Sequence, residues 1–217
     1  MLDYFIDDEI EILYNECDER YIDDIIDFFK LYYKGVMSFF NIKKLDKKIV
    51  IKIWDNLDMF RMELKKITGN EMPFWATGSS KNNKNDLNSR IDYLSLKEVI
   101  KIDYHKDETI DDLKKGILHE FVHICHSQSC DYHYPKEYFL TEGVATYLAH
   151  QYDNCSLSVP IKTILDDVEY VEYENYRFLF NKLLEIYSHE DILNILNNKK
   201  KLDYGKINNY IDSIQTR

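Results

Sequence analysis

The segment Leu118-His119-Glu120-Phe121-Val122-His123 sets two imidazoles four residues apart, with a carboxylate between them. On a helix, positions i and i+4 share a face, so both rings reach one metal ion. Glu120 lies one residue round from His119 and aims beside that ion. There it can accept a proton from water that the metal has acidified. The pattern is scarce: with 7 His and 16 Glu in 217 residues, composition alone yields roughly 0.02 occurrences per chain. The competing reading is a solvated helix face that happens to carry two histidines.

Catalytic zinc takes three protein ligands and keeps one position open. Eighteen residues lie between His123 and Glu142, which stands in Phe139-Leu140-Thr141-Glu142-Gly143-Val144-Ala145-Thr146. The arrangement resembles the gluzincin group of zinc metallopeptidases. Its members carry an HExxH helix and then a carboxylate ligand on the next helix, in a segment like W-L-x-E-G-x-A. Phe139 takes the place of the usual Trp. The spacing is similar to that of the aminopeptidase branch and nearly matches the thermolysin branch. The resemblance implies one zinc ion per chain, held by His119, His123 and Glu142, with Glu120 as general base. A metzincin would need a third His six residues past His123; Ser129 stands there, and Gly is absent between. His126, three residues past His123, is expected beside the site or at the surface.

A hydrolase of this kind also needs a donor for the oxyanion of its tetrahedral intermediate. In the aminopeptidase branch a Tyr supplies it, from a stretch like Y-E-K-G that leads into a helix. Tyr173-Glu174-Asn175-Tyr176 looks similar, with Asn175-Tyr176 in place of Lys-Gly. Tyr173 is the first candidate, with Tyr176, Tyr170 and His189 in reserve. The chain has 18 Tyr, and a packing or surface role is the plain alternative for each. Zincins bind peptide along an edge strand above the metal helix. The expected strand is Trp75–Ser79, with Arg90–Leu96 as the alternative. The aminopeptidases carry G-A-M-E-N there, and Gly69-Asn70-Glu71-Met72 echoes it only in scrambled order. The whole of residues 9–190 is similar in outline to the compact bacterial proteins described as peptidase MA-like. The expected activity is therefore peptide-bond hydrolysis. The alternative is a zinc-binding module without peptidase activity, or a hydrolase of another amide.

The elements that must carry these residues show in the hydrophobic pattern. Apolar residues at Ile117, Leu118, Phe121, Val122 and Ile124 predict a buried helix over 110–128, with Thr109 as N-cap and Asp111 and Asp112 in its first turn. Upstream, Glu9–Tyr14 and Lys48–Trp54 alternate as strands, and Asp18–Phe40 repeats apolar residues at helical spacing. A second helix is expected over Asp58–Thr68, stopped by Gly69. Phe74–Ser79 and Arg90–Leu96 read as strands around a polar hairpin loop, Ser80–Ser89. Val99–Tyr104 reads as one more short strand. Helices are expected downstream over 136–151, 161–168, 173–187, 189–198 and 204–214. Strands early and helices late predict an α+β domain with a zincin-like fold. The reading is one domain over 1–217, with an N-terminal α/β lobe of a small twisted sheet and helices over about 1–128. A helical lobe follows over about 129–217.

Bulk properties narrow the classes further. The formal net charge is −11, and the one basic cluster noted, Lys199-Lys200-Lys201, suits a helix C-terminus better than nucleic acid. No stretch approaches the 18 apolar residues of a membrane helix. The acidic N-terminus does not resemble a secretory signal, so a cytoplasmic location is expected. The four Cys form no Cys-x-x-Cys pair, which favours buried reduced thiols. The expected partner is a peptide or protein substrate, with no nucleic acid and no membrane; oligomeric state is left open.

Overall fold

The computed structural model describes residues 2–6, 8–166 and 171–215. The chain is mixed α/β, and its backbone divides into two compact units, Met1–Cys125 and His126–Arg217.

The first unit is built on a five-stranded sheet. Its strands are β1 (Leu2–Ile6), β2 (Ile10–Tyr14), β3 (Ile49–Trp54), β4 (Gly78–Lys81) and β5 (Ser89–Leu94). They lie in the order β1-β2-β3-β5-β4. β2, β3 and β5 run parallel, while β1 and β4 close the two edges antiparallel. The parallel pairs are linked through α1 (Glu19–Phe39) and α2 (Leu57–Thr68), as parallel strands require a crossover. In β3 the period of two is visible: Ile49, Ile51 and Ile53 are buried, and Val50 and Lys52 are half-buried. α1 turns Ile22, Ile25, Ile26, Phe29, Tyr33 and Val36 inward. Asn56 caps α2, accepting from the Met59 N–H at 2.9 Å. Gly69 ends it with φ of 77°, a left-handed conformation glycine adopts without strain.

After α3 (Leu96–Val99) comes α4 (Ile110–Ser129), the helix that carries the motif. It opens with a reciprocal cap. The Thr109 N–H donates to Asp112 Oδ2 at 2.8 Å, and the Asp112 N–H returns to Thr109 Oγ1. Ile117, Leu118, Phe121, Val122 and Ile124 are all buried, as their spacing requires. Phe121 meets the Phe29 ring edge-on at 5.0 Å, which locks α4 against α1.

The second unit is helical: α5 (Tyr138–Leu148), α6 (Ile161–Leu165), α7 (Tyr173–Ile186), α8 (His189–Leu196) and α9 (Tyr204–Gln215). α5 and α7 pack closely at Gly143, where a Cβ would stand 3.0 Å from the Tyr176 carbonyl oxygen and from Phe180 Cβ. The Gly in Glu-Gly-x-Ala therefore has a packing reason of its own.

Two expectations need correction, and one strand was not expected. Leu2–Ile6 is a strand that the pattern did not announce. Phe74–Thr77 is not strand; β4 begins at Gly78 and runs on to Lys81. The run Val99–Tyr104 is not strand either, because the Glu98 and Val99 N–H groups both turn back to the Ser95 carbonyl. The expected helix over 161–168 appears as α6, and its last two residues lie outside the described ones. Among the described residues, no helix is long and apolar enough to cross a membrane.

Candidate metal centre

His119, Glu120 and His123 occupy one face of α4, with Gly116 one turn earlier. His119 is buried and His123 half-buried. Their rings meet at 78°, and the two Nε2 atoms lie 3.0 Å apart. Two like ring nitrogens therefore converge on one point. The apolar face behind them is fully packed, so the rings stand on a rigid platform. Glu120 turns to the sheet. Its Oε1 lies 3.1 Å from where a Cβ on Gly78 would be, so the carboxylate stands over the first residue of β4.

Among the described residues β4 pairs only with β5, whereas β5 is paired on both sides. Of the two candidate substrate strands, Arg90–Leu96 thus has no open backbone edge. Trp75–Ser79 contributes only Gly78 and Ser79 to an edge strand. The approach to β4 is strapped down instead. The Ala76 N–H closes a turn on the Pro73 carbonyl. Arg61 Nη2 donates to the Phe74 carbonyl at 2.7 Å, and His105 Nε2 contacts the Trp75 carbonyl at 2.7 Å. His105 Nδ1 faces the Glu108 carboxylate.

Both partners of His105 are acceptors, and only the imidazolium donates from both nitrogens. Burial opposes that charge, but the Glu108 carboxylate and the Trp75 carbonyl outweigh it and raise the pKa above the ordinary 6.5. A group raised on folding stabilises fully below its unfolded value and loses that contribution as pH rises through the folded one. Wild type should therefore exceed His105→Gln in melting temperature most clearly at about pH 6, with the gap narrowing towards about pH 9. A gap that widens with pH would mean that His105 is held neutral. Nothing in the sequence marked this histidine, because the contact that matters is with a backbone carbonyl thirty residues away.

In the second unit Glu142 sits on α5, where only 6% of it is exposed. Residues Phe139 to Thr146 around it are all buried. Tyr173 is the first residue of α7 and is half-buried. Tyr176 is buried, with its ring 5.8 Å from that of Tyr138 and 6.1 Å from that of Tyr173. Of the two rings, Tyr176 is the more deeply buried. The α7 start is fixed by the preceding loop: the Ser158 N–H donates to Asn175 Oδ1 at 2.9 Å, and the Ser156 N–H to Glu174 Oε1 at 2.7 Å. Tyr170 lies outside the described residues. His189 is exposed at the start of α8. His126 is not a surface residue; it is fully buried and its Nε2 bonds the Leu196 carbonyl at 3.0 Å. All four cysteines are free. Cys125 and Cys130 are buried as expected, with burial pushing the Cys125 thiol well up, whereas Cys17 is exposed and Cys155 half-buried.

The chain matches no family model, no curated protein and no solved structure.

Proposed function

We propose that the chain is a zinc-dependent peptidase of gluzincin type with a zincin-like fold, in which His119, His123 and Glu142 hold one zinc ion. The observation that carries the reading is the convergence of two imidazole nitrogens 3.0 Å apart beside Glu120. The donor set fits the ion. Two imidazoles and one carboxylate are ligands zinc takes in catalytic sites. Glu142 is 6% exposed, so its carboxylate sits among protein rather than in open solvent. When bound, zinc acidifies water towards neutral pKa and polarises a carbonyl.

The chain's own residues do the rest. Glu120 takes a proton from the attacking water and returns it to the leaving amine. Its place over Gly78 puts that carboxylate beside the open edge of β4. A peptide that adds to Gly78–Lys81 as a further strand presents its backbone there. Tyr173 donates a hydrogen bond to the oxyanion as charge develops.

The test joins metal content to turnover. The purified chain should carry about one zinc per molecule and cleave members of a peptide library. A chelator should stop cleavage and added zinc restore it. A folded chain that neither binds zinc nor cleaves would overturn the reading.

A further inference from the structure

Gly116 lies in the middle of a twenty-residue helix and is buried. A glycine there costs about 1 kcal/mol relative to alanine, so its missing side chain needs a reason. A Cβ on Gly116 would overlap the Tyr93 hydroxyl and stand 2.5 Å from Tyr93 Cζ. A second glycine meets the same ring. Gly78 is the cross-strand partner of Tyr93 in the β4–β5 ladder. A Cβ on Gly78 would overlap the Tyr93 ring carbons Cδ2 and Cε2.

One buried ring thus fills the space of two absent side chains. It lies across Gly78 at the sheet edge, and its hydroxyl end reaches the bare backbone of α4. Thr77 Oγ1 contacts that hydroxyl at 3.2 Å. Glu120 follows Gly116 by one helical turn on the same face, and its Oε1 stands against the same Gly78. The ring is therefore the spacer between the β4 edge and α4, and Glu120 occupies the gap beside it.

We propose that Tyr93 is a positioning residue for Glu120. It fixes the gap in which the carboxylate meets a peptide lying on β4, and Gly116 and Gly78 are bare because the ring must seat there. This rests on the general-base reading of Glu120 given above.

Gly116→Ala tests it, since that methyl meets Tyr93 and no substrate. Misplacing a reacting group by about 1 Å costs on the order of 100-fold in rate. Gly116→Ala should therefore lower kcat by roughly 10- to 100-fold, with KM moving by less than about threefold. Zinc should stay at about one per chain, and the measurements belong well below the variant's melting temperature. Adding Tyr93→Phe removes the colliding oxygen and should restore part of the lost kcat, a non-additive cycle. Among single changes, Tyr93→Leu should cost more kcat than Tyr93→Phe, because only the latter keeps the spacer ring. The proposal fails if folded, zinc-loaded Gly116→Ala and Tyr93→Leu keep wild-type kcat, or if their losses follow lost zinc. Glu120→Gln run in parallel separates the two ideas. A silent Glu120→Gln removes the base assignment itself. An inert Glu120→Gln beside a fully active Gly116→Ala and Tyr93→Leu removes only the positioning role.

Discussion

Alanine in place of His119, His123 or Glu142 is expected to strip the chain of zinc. Changes to groups that merely support a ligand cost about 10- to 100-fold in metal affinity. Losing a ligand itself should cost more than about 100-fold, since two ligands do not hold zinc as three do. The readout is zinc per chain after dialysis, together with melting temperature against added zinc. Wild type should gain stability as zinc rises, because an ion that binds only the folded state stabilises by mass action. The three variants should lose that response. The His119 and His123 variants test the converging pair on α4. Glu142→Ala tests the step that leans most on resemblance. Full retention of zinc there would hand the third position to another carboxylate. His126 is the other alternative, through Nδ1, because its Nε2 bonds the Leu196 carbonyl.

The parts of this site legible in the sequence are those that need only one element. Two ligands at i and i+4 require nothing but a helix, and α4 announces itself through buried Leu118, Phe121 and Val122 and the Thr109 cap. β2, β3 and α1 were legible for the same reason, as each has one face buried and a regular period. The edges of the sheet were not. In β1, Leu2 and Phe5 are exposed and Ile6 is its one fully buried residue, so no alternation exists to be read. β4 is Gly-Ser-Ser-Lys and holds its place through backbone pairing with β5. Pro73 turns the chain just before it, which is why the apolar pair Phe74-Trp75 is not strand.

Val99–Tyr104 misled in the opposite direction. Its alternation looks like a strand, but the buried residues are Val99 and Ile102. They are three apart, which is the spacing of a helical turn. Ser95 starts that turn by accepting from two successive N–H groups, and a local bond of this kind leaves no trace in hydrophobic periodicity. Tyr93, Gly78 and Gly116 stayed hidden for a further reason. Each is ordinary in its own segment, and their fit exists only once β4, β5 and α4 are assembled.

Glu120→Gln should abolish most turnover while leaving the rest of the molecule as it was. Glutamine keeps the size of the side chain and its place over Gly78, so packing against the edge strand is preserved. It does not contribute a ligand in the proposed set, so zinc should remain at about one per chain. What the amide loses is the capacity to accept a proton at neutral pH. General acid–base catalysis by a placed side chain contributes about 100- to 10,000-fold, and Glu120 is assigned both the proton uptake and its return. The fall in kcat should lie in that range, with KM little changed, because the lost interaction belongs to the transition state. A peptide-cleavage assay on zinc-loaded protein, with melting temperature and zinc content measured on the same samples, reads all three quantities together. Undiminished turnover in a folded, zinc-loaded Glu120→Gln would sink the general-base assignment and leave β4 facing a carboxylate with no part in the chemistry.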